Sequence, residues 1–330
     1  MSYKSLIGII ISLILVVALI YSVNWNEVWQ ALKQMQFWPL LPATLLFLLQ
    51  YWCRATRWRL LLPDGKSIKT RALFDAIMVG NLANFVLPLR AGEFIRPFLL
   101  SRYTEISFPL CMVSVIVERF FDLALVLGLF GIVTIITPGI PTEVSIGASA
   151  LSSVAVVILV IMILGSFMEA RLLNAFDFLT QPLPAKFRSP LRKFSKDFLD
   201  GAAVLRTPAR VFQVIFMTIL VWILIVALTS ILFELFAITP SFEAGLAVTV
   251  ITALAVAAPS APGFIGVYQW ACIAGFALFA YPNEKAVAFS IITHIYNFAF
   301  FAIFGGIVLW RDGLKLADLK PGKNLAPISE

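Results

Sequence analysis

Two short stretches of this 330-residue chain carry charge at spacings able to bind an anion or pass a proton. Residues 80–96 read G-N-L-A-N-F-V-L-P-L-R-A-G-E-F-I-R, gathering Asn81, Asn84, Arg90, Glu93 and Arg96 around Pro88 and Gly92. Residues 117–122 read V-E-R-F-F-D and put Glu118 and Asp122 on one helical face, with Arg119 beside them. A guanidinium is a planar, weakly hydrated fork suited to phosphate, and neighbouring carboxylates position or neutralise it. From the residues alone, two readings stay open. Arg90, Arg96 and Arg119 form a structural salt-bridge network with Glu93, Glu118 and Asp122, or the arginines hold an anionic group that the carboxylates organise. His294, near Tyr296 and Asn297, is either a packing residue or a proton relay. No nucleophile elbow, phosphate loop or metal-ligand spacing occurs, so we expect no catalytic residue, metal or cofactor.

The surroundings of these charges set their meaning. The chain is 61% hydrophobic and 13% charged, where soluble proteins carry about 25% charged residues. It reads as an all-α polytopic integral membrane protein, and charge within such a chain is costly unless paired or lining a watery cavity. Cys53, Cys111 and Cys272 sit in apolar segments without metal or redox spacing and read as small buried hydrophobes. Lys4 followed by the apolar run 6–20 imitates a signal peptide, but no small-residue cleavage site follows, so a retained first helix is expected. The net charge of +7 belongs to loops and does not indicate nucleic acid.

Apolar runs of near-spanning length fall at 6–22, 38–61, 72–89, 106–136, 144–168, 211–236, 244–262, 263–281 and 285–310. Basic residues cluster in one loop (Arg54, Arg57, Arg59, Lys66, Lys69, Arg71), in a second at 171–210, and in the tail, with Lys320 and Lys323. The alternate loops are nearly free of them. The positive-inside rule then puts both termini in the cytoplasm of an inner-membrane protein. Parity requires 72–103 to return to the cytoplasmic side and 244–281 to return to the outer side. The arm 92–102 is short and charged, so a re-entrant hairpin is expected there. Both arms of the second segment are long enough to span. Residues around Trp29, Leu32 and Met35, and around Leu191, Phe194 and Phe198, read either as interfacial amphipathic pieces or as loops resting on the headgroups.

Pro88 precedes Gly92 by four residues, as Pro259 precedes Gly263, at an offset of 171. The same shift lays span, broken hairpin and span onto a second copy with reversed entry. The expectation is one transmembrane domain over 1–330, an inverted-topology repeat of 1–136 (hairpin 72–103) and 137–310 (hairpin 244–281) with a tail at 311–330. The second hairpin breaks at Pro259, Pro262, Gly263 and Gly266. It carries no charge over 244–283 and offers Ser260, Tyr268, Gln269 and Trp270. One ionic wall facing one polar and apolar wall suits an amphiphile.

At N-F-V-L-P-L-R-A-G-E-F-I-R-P, S-V-I-V-E-R-F-F-D-L and A-P-S-A-P-G-F-I-G-V-Y-Q the chain resembles the lysylphosphatidylglycerol synthase transmembrane-region family over nearly its whole length. That family includes the lipid-flipping half of the multiple peptide resistance factors and relatives linked to archaeal N-glycosylation and hopanoid synthesis. The resemblance implies a membrane protein that moves or handles a lipid, with lipid-modifying enzymes as partners and room for a homo-oligomer. Pro88, Arg90, Gly92, Glu93, Arg96, Glu118, Arg119 and Asp122 match its first two motifs, and Pro262, Gly263 and Gly266 the third. Relatives often carry a charged pair ending in Glu after the last glycine, where this chain has Tyr268 and Gln269. The soluble synthase domain is absent from this sequence, so we expect a non-enzymatic lipid translocase. An accessory or enzyme in lipid or glycan modification is the alternative.

Overall fold

The computed structural model describes residues 3–62, 68–137, 142–181, 184–257, 261–316 and 319. Pro259 and Ser260, Lys66, Lys320, Lys323 and most of the tail lie outside the described residues, as do the side chains of Phe194 and Phe198. Among the described residues thirteen α-helices follow in order: α1 (Tyr3–Ser22), α2 (Trp25–Lys33), α3 (Leu40–Leu60), α4 (Thr70–Val86), α5 (Gly92–Tyr103), α6 (Phe108–Ile136), α7 (Thr142–Ser166), α8 (Glu169–Thr180), α9 (Ala185–Ala202), α10 (Pro208–Phe233), α11 (Phe242–Ala257), α12 (Val267–Ala277) and α13 (Asn283–Arg311). No strand occurs among the described residues. Helices are the form that satisfies every backbone group within one segment in lipid. Among the described residues three helices have the length and apolarity to cross a membrane unaided: Phe108–Ile136, Pro208–Phe236 and Asn283–Arg311. Pro109 and Pro208 open α6 and α10, where a missing N–H costs nothing.

The order span, helix, 3-10 turn, helix, span occurs twice, as α3–α6 and α10–α13. The two copies do not keep a single offset. α4 and α11 end at Val86 and Ala257, 171 apart, whereas the turns Pro88–Arg90 and Pro262–Phe264 begin 174 apart and the closing spans 175 apart. The second break is therefore longer, and the structural partner of Pro88 is Pro262 rather than Pro259. At 1.5 Å per residue, the 12 residues of α5 and the 11 of α12 reach roughly 18 and 17 Å, well short of a hydrocarbon core of about 30 Å. The helix of the second arm is thus shorter than the apolar run 263–281 read from the sequence.

Close backbone contact holds the first hairpin together. A Cβ on Gly92 would overlap the Gly80 carbonyl oxygen, and one on Gly80 would lie 2.9 Å from Arg96 Cβ. In the second hairpin a Cβ on Gly275 would meet Val248 Cγ2 at 2.8 Å. The two copies interlock. α3 packs on α10, while α4 packs on α13 and, in the matching position, α11 packs on α6. The two 3-10 turns touch. α1 packs against α12 through Trp270 Nε1 to the Leu15 carbonyl at 2.8 Å and Ala261 N to Ser12 Oγ at 3.0 Å, and α7 packs on α6.

α2 leaves α1 at 86°, a bend consistent with an interfacial helix, and Trp29 is exposed while Leu32 and Met35 pack against the core. Far from the charged motifs, the buried Asp75 of α4 pairs with Arg311 at 2.9 Å, and Tyr103 hydrogen-bonds Asp312. The first hairpin is thereby tied to the end of the last span.

Candidate functional site

The six motif charges separate into two groups. Glu118 and Asp122, one turn apart on α6, point into the interior, where Glu118 is 0% exposed. Between them lies Arg57 of α3, also 0% exposed. Its Nη1 donates to Asp122 Oδ1 at 2.6 Å and to Thr218 Oγ1 at 3.1 Å, and its Nη2 donates to Glu118 Oε1 at 2.8 Å. Arg96 closes the network from α5, with Nη2 2.5 Å from Glu118 Oε2 and its guanidinium carbon 3.9 Å from the centre of the Trp58 ring. Trp222 of α10 donates to Asp122 Oδ1 at 3.1 Å. Four helices thus meet on two carboxylates, and each buried charge faces an opposite one, as a buried charge cluster requires.

The sequence reading placed Arg57 in a basic loop. That is overturned: α3 continues to Leu60, and Arg57 lies on its last turns inside the bundle. Its partners are 61 and 65 residues away, so local spacing carries no trace of them.

The second group lines a cavity of about 530 Å³ between the two copies. Arg119 is 44% exposed, with its Nε 3.2 Å from Glu93 Oε2 and its Nη1 3.5 Å from Asp122 Oδ2. Arg90 ends the first 3-10 turn with φ of +53°, a conformation that side-chain-bearing residues adopt at a cost. Its guanidinium donates to the Val256 carbonyl near the end of α11 and lies 5.3 Å from the Phe264 ring centre. Arg90 forms no ion pair among the described residues. It joins the two hairpin breaks across the cavity. Asn81 and Asn84 also line it, with Asn81 Nδ2 donating to the Ile77 carbonyl at 2.9 Å.

From the second copy, Tyr268 reaches the cavity and shares a 3.0 Å hydrogen bond with Thr293. Gln269 does not. Its Oε1 accepts from Gly266 N at 2.8 Å and caps α12. Gly263 and Gly266 take φ of +68° and +86°, which explains glycine at both positions. Pro88 and Pro262 each begin a 3-10 turn, and Gly92 opens α5. His294 packs edge-on between Phe85 and Tyr268, each ring centre 5.4 Å away, and lies outside the cavity lining. Among the described residues no group of three His, Cys, Asp or Glu side chains is placed to hold a metal.

One face of α3 was missed as part of the site. Phe47, Gln50, Tyr51 and Arg54 all line the cavity. Their i, i+3, i+4, i+7 spacing is the signal that would have found them. The remaining wall is apolar, with Leu123, Val126, Ile225 and Leu228. The cavity is thus amphipathic, charged at one part of its lining and greasy along another.

The profile of the family described as "Lysylphosphatidylglycerol synthase TM region" matches residues 5–305. The chain belongs to that family. Membership covers both copies and both charged motifs, and it excludes neither half of the cavity. A glycosyltransferase, AglD, of Haloferax volcanii is 32% identical over 94 residues, which is 28% of this chain and 15% of that relative. The chain therefore spans a small part of the curated relative it matches. No solved structure matches it.

Proposed function

We propose that this protein is a flippase-like lipid translocase of the inner membrane, carrying an anionic or zwitterionic phospholipid or a polyprenyl-phosphate lipid between leaflets. The observation that carries the reading is the amphipathic cavity between the two copies, bounded by both hairpin breaks. Its volume of about 530 Å³ falls within the 300–1,000 Å³ typical of small-molecule sites. That is room for a headgroup, while the acyl or prenyl tail stays in lipid along the apolar wall. In its lining Arg54, Arg90 and Arg119 outnumber Glu93 and Asp122, which favours an anionic group. Touching hairpin tips at the meeting of two repeats are the arrangement in which alternating access moves one half against the other. Both termini are assigned to the cytoplasm on loop charge.

The test is reconstitution of purified protein into vesicles holding fluorescent phospholipid or polyprenyl-phosphate probes, with leaflet exchange followed by a membrane-impermeant quencher. Accelerated exchange of at least one probe is expected; exchange at the protein-free rate for every probe would sink the proposal.

The match to a glycosyltransferase favours a second reading, an accessory or enzyme in lipid or glycan modification. In that case Glu93→Gln would abolish product formation while leaving lipid exchange unchanged.

A further inference from the structure

Each hairpin tip reaches across to the other copy. The third residue of each 3-10 turn, Arg90 in one and Phe264 in the other, takes a left-handed conformation, with φ of +53° and +61°. Each then meets the next-to-last residue of the opposite copy's half-helix. Phe264 lies edge-on to Phe85 of α4, with ring centres 6.2 Å apart, and the Arg90 guanidinium donates to the carbonyl of Val256 in α11. Phe85 and Val256 hold equivalent places, at the offset of 171 that relates the ends of α4 and α11. The two crossings match in backbone and differ in chemistry. One is made by an aromatic ring, the other by a cation.

The end of α11 calls for a cation. The last four carbonyls of a helix find no N–H within it and carry the negative end of its dipole, about half an elementary charge. The 16 residues of α11 reach roughly 24 Å, short of a hydrocarbon core of about 30 Å, so this end is not carried across to bulk water. Pro259, two residues on, has no N–H to offer it. In transporters built from repeats, such helix ends coordinate a dissolved coupling cation. Here Arg90 forms no ion pair among the described residues, and the nearby Glu93 is paired with Arg119. A strained backbone brings Arg90 to the Val256 carbonyl, with its guanidinium carbon 5.3 Å from the Phe264 ring centre.

We infer that Arg90 is a tethered counter-cation for the carbonyl end of α11, seated where a coupling ion would otherwise bind, so that the hairpins work without sodium. Arg90 is thus a positioning residue that holds the tip of the second hairpin against the first. The ion requirement rests on the translocase reading; the cation seat rests on the geometry alone.

The experiment removes the tether and supplies its cation free. Full-length Arg90→Ala protein in detergent is unfolded thermally during titration with methylguanidinium chloride, with tetramethylammonium chloride keeping the ionic strength constant. Methylguanidinium carries the planar N–H donors of arginine, whereas tetramethylammonium is a charge without a donor. Binding at the vacated seat should raise the unfolding midpoint of the variant by about 2 °C or more. The wild-type midpoint should not rise. Glycine takes a positive φ without strain, so Arg90→Gly carries the same titration if Arg90→Ala does not fold. In vesicles, leaflet exchange lost in Arg90→Ala should return with methylguanidinium, and wild-type exchange should run equally in sodium and tetramethylammonium chloride.

A midpoint that methylguanidinium fails to raise in the folded variant would overturn the seat, as would an equal rise in the wild type. Wild-type exchange that requires sodium would overturn the replacement of a coupling ion. A methylguanidinium response in a protein that shows no leaflet exchange would keep the seat and remove translocation. Exchange without that response would do the opposite.

Discussion

Arg57 and Arg90 differ in what answers their charge. Arg57 has no exposed surface and meets two carboxylates and a threonine hydroxyl, while Trp222 and Arg96 complete the shell around those carboxylates. Arg90 faces the cavity, rests beside Phe264, and gives a hydrogen bond to the neutral carbonyl of Val256. One arginine has its charge answered by two carboxylates; the other is answered by no carboxylate. The comparison teaches that a charge cluster in a membrane protein is not a single object. The buried part joins four helices, and the cavity part is left open for a ligand. Glu93 and Arg119 stand between these extremes, paired with each other but 27% and 44% exposed.

The comparison can be broken most forcefully at Arg57. Arg57→Met removes the one guanidinium shared by both buried carboxylates, leaving Glu118 to Arg96 and Asp122 to Arg119 and Trp222, and should cost about 3–5 kcal/mol, read as loss of the folded species in detergent unfolding. A folded, stable Arg57→Met protein would mean that the buried network is dispensable. Arg96→Met removes one partner of Glu118 and should destabilise by less, about 2–3 kcal/mol, because Arg57 still holds that carboxylate.

Arg90→Ala sharpens the other side. It should cost no more than about 1–1.5 kcal/mol of stability, the worth of one hydrogen bond, and yet abolish leaflet exchange. Unchanged exchange would remove Arg90 from the site. A double-mutant cycle on Glu93→Gln and Arg119→Ala should return a coupling of only about 0–1 kcal/mol, since the pair is partly exposed. A larger value would move the pair into the structural group.

The smallest effect on exchange is expected at His294, which belongs to neither group. His294→Phe should hold stability within about 0.5–1.5 kcal/mol, the scale of an aromatic contact, and leave the pH profile of exchange unaltered. A shifted profile would restore the proton-relay reading.

Some of this organisation was legible in advance and some was not, for identifiable reasons. The breaks at Pro88, Pro262, Gly263 and Gly266 were legible because proline and glycine act on their own backbone. The register of the repeat was not, because Pro259 mimics the spacing of Pro88 while the turn forms three residues later. Gln269 looked like a cavity group by its place after the hairpin, but the orphan N–H of Gly266 at the start of α12 claims its oxygen first. Gln50 and Arg54 were passed over, since an apolar run ending in arginines looks the same whether its last turns lie in a loop or in the bundle.

The amino-acid sequence by itself determined that the chain lives in a membrane, where its helices run and break, and which residues carry charge. Those properties are sums over short windows, and apolarity, proline and glycine express them locally. Only the tertiary structure decided which charges are spent on each other and which face the cavity. That depends on how α3, α5, α6 and α10 are rotated and packed, through partners 61 and 65 residues apart that no local spacing encodes.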